Sequence, residues 1–293
     1  MEILLTGATG YIGSAVRSAL VAGGHTVTAL VRGEAAAERV AGAGVQPVIG
    51  DMRDAELVRG LAGKSDGVVH AASPGDATSA DAEAEFADAV LAGFGGRDNG
   101  VFVRTGGVWV HGAGTAITED TPRDAPPLVA WREAIDRRVL AASGVRAVLI
   151  EPGVVYGHGG GIPRLVFAAE RMRGGLTLIG DGSQHWVTVH VDDLAGLYVA
   201  ALERAGHGET FLGAGGANPT TRELGEAASR RLGLGGRVVP EDPAATVERL
   251  GEFGRALLLD QQADGGKARR VLGWRPSRPS LLDEIAAGGY DPA

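Results

Sequence analysis

Three glycines near the N-terminus have types and spacing that could hold a phosphate group. Gly7, Gly10 and Gly13 fall in the segment TGATGYIG, between an apolar run and an amphipathic periodic stretch. Gly7 would allow a tight turn, Gly10 would let the backbone approach a pyrophosphate, and Gly13 would let a helix pack closely on a strand. The N–H groups of a helix that begins here would face the phosphate charge. The segment predicts a dinucleotide-binding loop; a purely structural turn is the alternative.

The residue that ends the second apolar run bears on which dinucleotide would bind. The run finishes at Arg32, with no Asp or Glu at the place where a carboxylate would bind the adenosine ribose hydroxyls. A guanidinium suits a 2′-phosphate, so NADP(H) is favoured over NAD(H), although Arg32 could also be a solvated loop residue. Asp51 follows the third run and could accept from the adenine amino group, or instead form a helix cap or turn.

These residues need strands and helices to position them, and the first half of the chain has the pattern of βαβ units. Short apolar runs alternate with Ala-rich amphipathic stretches, the clearest of which are Tyr11–Ala22 and Asp81–Leu91. Runs of this kind are typical of strands buried on both faces of a parallel sheet. The fold class predicted is α/β, a doubly wound parallel sheet. The predicted strands are Glu2–Thr6, Thr26–Val31, Val45–Ile49, Gly67–His70, Val101–Arg104 and Arg146–Ile150.

The sequence pattern changes in the second half of the chain. Residues 157–161 are Gly-rich and predict a mobile loop that orders when substrate binds. A strand is expected at Val187–Val191, followed by a helix at Asp192–Glu203 that Asp192 or Asp193 would cap. We expect residues 1–156, completed by about 187–213, to form the dinucleotide-binding core. Residues 157–186 and 214–293 would form a smaller, substrate-binding C-terminal lobe.

Composition excludes several classes of protein. The chain has 293 residues, no Cys and a net charge of −8, from 28 basic and 36 acidic residues. Disulfides and thiolate metal sites are therefore excluded. The acidic balance argues against nucleic-acid and anionic-membrane partners, and no apolar segment is long enough to span a membrane. We expect a cytoplasmic protein, a monomer or homodimer, with a small molecule as its partner and no metal; one His beside two helix-start carboxylates at residues 190–193 is better explained by capping.

Five ordered blocks of sequence carry a resemblance to a known family. Besides the glycine segment, they are GDM at 50–52, DGVVHAA at 66–72, PGVVYG at 152–157, VHVDDL at 189–194 and LGWRP at 272–276. The chain resembles the extended short-chain dehydrogenase/reductases, the group that contains nucleotide-sugar epimerases and dehydratases, and so implies a Rossmann fold. Together, the motifs and this resemblance imply a set of residues that contact the cofactor. They are Gly7, Thr9, Gly10, Tyr11, Ile12, Gly13, Arg32, Asp51, Met52, Ala71, Ala72, Ser73, Thr105, Arg132, Pro152, Gly153, Val154 and Val155.

The chain departs from this family at the catalytic positions. Family members usually carry a Ser, then a Tyr that passes the proton and, four residues later, a Lys that lowers the Tyr pKa and holds the ribose. Here those positions are Gly107, Leu128 and Arg132, and residues 113–144 contain neither Tyr nor Lys. Arg132 could hold the nicotinamide ribose, but its pKa is too high for a general acid. The chain is similar to atypical ketoreductases of antibiotic biosynthesis that lack the triad.

The catalytic proton donor is therefore unknown from the sequence. Candidates in segments expected near the cavity are His111, Thr105, Ser73 and Tyr156, and His111 has the most suitable pKa. A wall residue is the alternative for His111. A third route is the substrate itself, through a phenol beside the reacting carbonyl, or a water molecule. The substrate-contacting residues expected are Trp109, His111, Trp131, Tyr156 and Trp186.

Three hypotheses follow for function. The first is an NADPH-dependent ketoreductase that reduces a carbonyl of an aromatic polyketide or a similar secondary metabolite, with Trp side chains as flat apolar walls. The second is a nucleotide-sugar epimerase or dehydratase, which is disfavoured because oxidising an alcohol needs a base that the sequence does not supply. The third is a non-catalytic dinucleotide-binding sensor, which fits retained glycines and a lost triad.

Overall fold

The computed structural model describes residues 1–95 and 100–291. A seven-stranded parallel sheet lies at its centre, and smaller sheets lie around it. The strands are β1 Glu2–Thr6, β2 Thr26–Val31, β3 Val45–Ile49, β4 Gly67–His70, β5 Val101–Thr105, β6 Gly114–Ile117, β7 Arg146–Pro152, β8 Val154–Gly157, β9 Gly160–Gly161, β10 Arg171–Met172, β11 Gly175–Thr177, β12 Thr188–His190, β13 Glu209–Gly213, β14 Val238–Val239 and β15 Gln261–Ala263.

Helices cover both faces of this sheet. The helices are α1 Tyr11–Ala22, α2 Glu34–Val40, α3 Ala55–Ala62, α4 Ser79–Phe94, α5 Pro127–Ala130, α6 Arg132–Leu140, α7 Arg164–Phe167, α8 Val191–Arg204, α9 Thr221–Arg231, α10 Pro243–Leu257, α11 Gly266–Leu272 and α12 Leu281–Ala286, with a 3-10 helix at Val108–His111. On one face α1 packs against α8, and on the other α3 packs against α4. Leu20 and Tyr198 are buried on the first side, and Phe86 and Phe102 on the second.

The strand order of the central sheet is β13-β7-β5-β4-β1-β2-β3, and every neighbouring pair is parallel. The order reverses at β1, where Leu5 pairs with Ala29 of β2 and with Val69 of β4. In sheets of this type, ligands bind outside the carboxyl ends of the strands at the reversal. The doubly wound α/β fold is confirmed, and β1 to β4 have the bounds predicted from the sequence.

Two features of the second half differ from the predictions. Strand β13 extends the sheet beside β7, with Phe211 fully buried, and no strand was expected there. The cap of α8 also differs: His190, not Asp192 or Asp193, is the N-cap, and its Nδ1 accepts from the Asp192 N–H at 3.1 Å. The sequence favoured Asp because carboxylates are common caps, whereas an imidazole is not.

The C-terminal lobe has its own apolar core. Leu176, Leu224, Leu257 and Ile285 are buried in it. They come from β11, α9, α10 and α12, which lie far apart in the sequence. These four elements therefore share one apolar cluster. No helix in the described ranges is long and apolar enough to cross a membrane.

Candidate functional site

The glycine segment forms a tight backbone turn at the reversal point. Gly7 has φ +75°, and a Cβ there would collide with the carbonyl of Ala71, so the loops after β1 and β4 are in contact. A Cβ at Gly13 would collide with the Gly7 carbonyl oxygen. Helix α1 begins after Gly10, and no side chain caps it. Its first-turn N–H groups are thus available to an anion.

A cavity of about 800 Å³ opens beside this turn. Eleven of the residues predicted to contact cofactor line it, from the loops after β1, β4 and β5, from α6 and from β7–β8. They are Tyr11, Ile12, Ala71, Ala72, Ser73, Thr105, Arg132, Pro152, Gly153, Val154 and Val155. The structure therefore brings the sequence blocks that carry the family resemblance to one place.

Seven predicted cofactor residues lie outside this cavity lining: Gly7, Thr9, Gly10 and Gly13 in the turn and the start of α1, and Arg32, Asp51 and Met52 after β2 and β3. Arg32 follows β2 with an exposed side chain, and Asp51 follows β3, where its carboxylate accepts from the Arg53 N–H at 2.9 Å. Met52 is partly buried and packs against the core. Asp51 thus forms the turn that the sequence left open as one of its roles, and Arg32 is free to meet a ligand.

The positions of the family's catalytic triad also meet in the cavity. Gly107, Leu128 and Arg132 all line it, although they come from the loop after β5, from α5 and from α6. A Cβ at Gly107 would lie 3.0 Å from Nη1 of Arg132. The guanidinium therefore occupies the space beside the position where the family carries Ser, and glycine makes that space.

Arg132 is held firmly but is incompletely paired. Its Nη1 donates to the Gly106 carbonyl oxygen at 2.7 Å, and its Cζ lies 5.3 Å from the Trp131 ring centroid. Its Nε is buried and has no hydrogen-bond partner. Desolvation by burial lowers the pKa of Arg132, with the nearby Glu83 carboxylate acting in the opposite direction. The side chain stays charged, since its usual pKa is far above neutrality.

The wall around Arg132 is mostly apolar. Trp109 packs edge-on against Phe253 of α10, with ring centroids 5.9 Å apart. Trp131 is held by a hydrogen bond from Nε1 to the Leu128 carbonyl at 3.1 Å. Val129 and Ile162 complete this part of the lining. A flat apolar ligand would fit such a wall.

Two of the five residues expected to contact substrate do line the cavity, namely Trp109 and Trp131. Trp186 and Tyr156 instead lie in the core of the C-terminal lobe, where Trp186 Nε1 donates to the Leu257 carbonyl at 2.9 Å and Tyr156 Oη to the Pro279 carbonyl at 2.7 Å. Burial raises the pKa of Tyr156. The expectation is wrong for these two because their rings are needed for packing.

His111 also lies away from the cavity lining. Its Nε2 contacts Glu151 at 2.9 Å and its Nδ1 contacts the Thr121 carbonyl oxygen at 3.0 Å, and the residue is buried. Both nitrogens are thus engaged inside the protein. The structure removes His111 as proton donor and as substrate wall.

The hydroxyl candidates differ in how free they are. Thr105 Oγ1 donates to the His70 carbonyl at 2.6 Å and also contacts Tyr198 Oη at 2.6 Å, so its proton is used within the protein. Ser73 is exposed at the cavity rim. Tyr11 lines the cavity, but its hydroxyl donates to the Gly157 carbonyl at 2.8 Å, and burial raises its pKa. Within residues 1–95 and 100–291, Ser73 is the candidate hydroxyl that lines the cavity without a hydrogen bond to the protein.

A chain of buried charged groups runs behind the cavity, and sequence reasoning missed it. Glu83 Oε2 contacts both His70 Nε2 at 3.1 Å and Arg104 Nη2 at 3.0 Å, and Arg104 also pairs with Asp136. These attractions hold the Glu83 pKa at about 2 although burial opposes them. The whole chain is His70, Glu83, Arg104, Asp136, Arg123, Glu151 and His111. An Arg at the end of an otherwise apolar strand was the signal that could have revealed it.

The Gly-rich segment 157–161 is a β-turn hairpin rather than an irregular loop. β8 pairs antiparallel with β9, and Tyr290 Oη both accepts from the Gly157 N–H at 3.0 Å and donates to the Gly160 carbonyl at 2.7 Å. Tyr11 packs against Gly160 as well. Aromatic side chains from both ends of the chain thus fix this hairpin beside the cavity.

The His190 region brings three possible ligand atoms together. Those of His158, His190 and Asp192 lie within 4.8 Å of one another. His158 is exposed and pairs with Asp192 at 3.1 Å, while His190 Nδ1 already accepts the α8 cap bond. The capping bond accounts for the placement of His190.

Comparison with known proteins agrees with this geometry. Residues 3–212 match the model of the NAD dependent epimerase/dehydratase family. The chain belongs to that family. It is 29% identical to a 4-hydroxy-2-methyl-3-oxo-4-farnesyl-3,4-dihydroquinoline-1-oxide ketoreductase of Stigmatella aurantiaca, over 99% of this chain and 97% of the relative. It is 31% identical to a UDP-glucose 4-epimerase of Mycolicibacterium smegmatis, over 98% and 96%.

A solved structure supports the same assignment. A dTDP-glucose 4,6-dehydratase double mutant from Streptomyces venezuelae, with NAD bound, superposes with a TM-score of 0.79 at 25% identity, over 99% of this chain and 96% of that one. The protein is thus an oxidoreductase of an NAD(P)-dependent family with the Rossmann fold. The uncapped start of α1 and the collision that any Cβ at Gly7 or Gly13 would cause fit a dinucleotide that needs close backbone approach.

Proposed function

We propose that the protein is an NADPH-dependent ketoreductase that reduces a carbonyl of an aromatic polyketide or a similar secondary metabolite. The observation that carries the proposal is the meeting of Gly107, Leu128 and Arg132 in one apolar cavity. Arg132 can donate a charge-assisted hydrogen bond to a carbonyl, and Gly107 and Leu128 shape the space around it. These residues offer neither an acid nor a base, so the proton has to be exchanged with the substrate or with water, which suits a ketone that carries its own acidic hydroxyl group.

The cofactor contacts proposed are those predicted from the sequence, with Arg32 selecting NADPH through its 2′-phosphate. When bound, the nicotinamide would supply the hydride, and the chain would supply orientation. Residues 1–156, completed by about 187–213, would hold the cofactor, and residues 157–186 and 214–293 would cover the substrate. Gly161, Ile162 and Phe253 are the residues of these two segments that line the cavity.

The proton is proposed to come from the substrate or from water. Glu83 is a carboxylate that lines the cavity, but a pKa of about 2 keeps it ionised and unable to donate near neutral pH. Thr105 and Tyr11 have their protons engaged. A phenol beside the reacting carbonyl can pass its own proton to the new alkoxide, so the alcohol forms and a phenolate remains. Atoms and charge balance without an acid from the protein.

The test is NADPH oxidation with a panel of aromatic ketones and aromatic keto acids, with the alcohol identified by mass. Within the panel, 2-acetyl-1-naphthol is compared with its methyl ether. We expect the naphthol to turn over at least about tenfold faster, because general acids contribute about 10²–10⁴ in rate. Equal rates would contradict the substrate as proton source. Cofactor binding with no turnover of any ketone would support the sensor hypothesis instead.

A nucleotide-sugar epimerase is the second candidate, favoured by the 31% identity to the Mycolicibacterium smegmatis UDP-glucose 4-epimerase. It is tested by incubating the protein and NAD⁺ with UDP-glucose and measuring UDP-galactose. Interconversion at a rate above that of the ketone panel would replace our proposal.

A further inference from the structure

The hairpin that joins β8 to β9 has little stiffness of its own. Four of the five residues 157–161 are glycines, and Gly157, Gly159 and Gly161 have φ angles of +123°, +65° and +77°. Glycine loses more backbone freedom on folding than any other residue, so the ordering of this segment costs conformational entropy. A two-stranded hairpin is also at best marginally stable by itself. Contacts with other parts of the protein must therefore fix its conformation.

The hydroxyl of Tyr290 makes two of these contacts. Tyr290 Oη accepts a hydrogen bond from the Gly157 N–H at 3.0 Å and donates one to the Gly160 carbonyl oxygen at 2.7 Å. Gly157 and Gly160 pair with each other across the hairpin, so a single hydroxyl group bridges its two strands. Burial raises the pKa of Tyr290 to about 12, and the hydroxyl therefore keeps the proton that it donates at neutral pH.

Tyr290 is itself held in place by the C-terminal lobe. Its ring is buried and stacks on Phe167, with ring centroids 5.5 Å apart. Its neighbour in the chain, Asp291, pairs with Arg231 of α9. The hydroxyl is thus fixed in position before any ligand binds, and a pre-organised contact of this kind does not have to be ordered on binding.

The hairpin that Tyr290 holds leads into the wall of the cavity. Gly161 ends β9, Ile162 follows it, and both line the cavity. Tyr290 lies outside this lining. Any effect of Tyr290 on a ligand in the cavity must therefore pass through the hairpin.

We propose that Tyr290 is a positioning residue for the substrate, whose hydroxyl fixes the hairpin and thereby places Gly161 and Ile162 against the substrate. This inference rests on the proposed ketoreductase function and adds to it a residue of the C-terminal lobe. Without the bridge, the hairpin would sample other conformations. Substrate binding would then have to order it, which weakens the observed affinity.

The experiment uses Tyr290→Phe, which removes the hydroxyl and keeps the ring that stacks on Phe167. The KM for 2-acetyl-1-naphthol should rise about fivefold to thirtyfold because two hydrogen bonds are lost. The kcat and the Kd of NADP⁺ should each change by less than about twofold, as expected when only substrate binding is weakened.

A second readout follows the hairpin directly. Amide hydrogen exchange of residues 157–161 in the NADP⁺-loaded protein should become at least about tenfold faster in Tyr290→Phe. Unchanged exchange would overturn the proposal. Faster exchange with an unchanged KM, or with an equal loss of NADP⁺ affinity, would overturn it as well.

Ser229→Ala is the matched control. Ser229 is buried in α9, and its hydroxyl donates to the Arg237 carbonyl oxygen at 2.7 Å, so this variant also loses a hydroxyl hydrogen bond in the C-terminal lobe. It should leave both the KM and the exchange of the hairpin unchanged, at a temperature where thermal melting shows both variants to be folded. A rise in KM as large as that of Tyr290→Phe would show that any destabilisation of the lobe weakens substrate binding, and would contradict a specific role for Tyr290.

Failure of this proposal and failure of the ketoreductase function can be told apart, because calorimetric binding of 2-acetyl-1-naphthol to the NADP⁺-loaded protein needs no reaction. Binding that Tyr290→Phe weakens, without reduction by NADPH in either protein, would refute the ketoreductase function and leave the positioning role standing. Reduction by both proteins with the same KM would do the reverse. The absence of both binding and turnover would overturn the two together.

Discussion

Backbone atoms build the side of the cavity that follows β1 and β4, whereas side chains build the side opposite. On the first side, Gly7 and Gly13 matter because they lack a Cβ, and carbonyl groups fill the space around them. On the second side, Arg132 of α6 contacts Gly106, and Phe253 of α10 packs against Trp109, so residues far apart in the sequence build the wall. A backbone-built site tolerates few residue types, while a side-chain-built wall can change its chemistry by substitution. This difference explains how one chain keeps the family's dinucleotide turn and loses its triad.

The largest expected effect comes from removing the charge that supports the side-chain wall. Arg104→Met would leave Glu83 and Asp136 buried without their shared partner. Breaking a buried pair in this way costs about 3–5 kcal/mol. Urea unfolding should show that loss, and the variant should still bind NADP⁺ at temperatures where it is folded. A loss below 1 kcal/mol would mean that the buried chain does not stabilise the wall.

Low pH should destabilise the protein at the same buried chain of charged groups, through protonation of Glu83. The pKa of Glu83 is about 2 in the folded protein, below the 4.5 that is usual for a Glu side chain. Because the folded protein favours ionised Glu83, this carboxylate adds about 3 kcal/mol to the free energy of unfolding above pH 4.5. That contribution is lost as the pH falls toward about 2. Unfolding free energies measured between pH 5 and pH 2.5 should fall less steeply in Glu83→Gln than in the wild type. Glu38→Gln, at an exposed site on α2, is the control and should behave as the wild type does.

The backbone-built side is tested by adding one methyl group. Gly13→Ala places a Cβ against the Gly7 carbonyl and should displace the turn. Overpacking of this kind costs about 2 kcal/mol, or about thirtyfold in cofactor affinity. Gly196→Ala in α8 meets no atom within 4 Å and should leave affinity unchanged. Unaltered cofactor binding by Gly13→Ala would show that the turn does not set the approach of the dinucleotide.

The smallest effect is expected for Arg32, whose side chain would contact the cofactor on the side of the cavity that backbone atoms build. Arg32→Ala should lower the preference for NADPH over NADH by about tenfold, because a charge-assisted bond to the 2′-phosphate would be lost. Arg39→Ala, exposed on α2, provides the comparison. An unchanged NADPH/NADH affinity ratio would show that Arg32 is a solvated loop residue.

The two sides also differ in how far the sequence could predict them. Strand β1 and helix α1 have the bounds expected from the sequence, because a strand, a glycine turn and a helix are determined by neighbouring residues. The meeting of Gly107 and Arg132 was inferred only from family spacing. The positions of His111 and Trp186 could not be predicted, because their partners Glu151 and Leu257 are 40 and 71 residues away.

Tyr11 links the two sides mechanically. Tyr11 begins α1 directly after the turn, and its hydroxyl donates to the Gly157 carbonyl. The β8–β9 hairpin that contains Gly157 leads directly into Ile162 on the opposite wall. A cofactor that orders the turn after β1 would therefore also order the hairpin and the wall that the substrate contacts. Steady-state kinetics of such an enzyme should follow a compulsory order, with the nucleotide first on and last off.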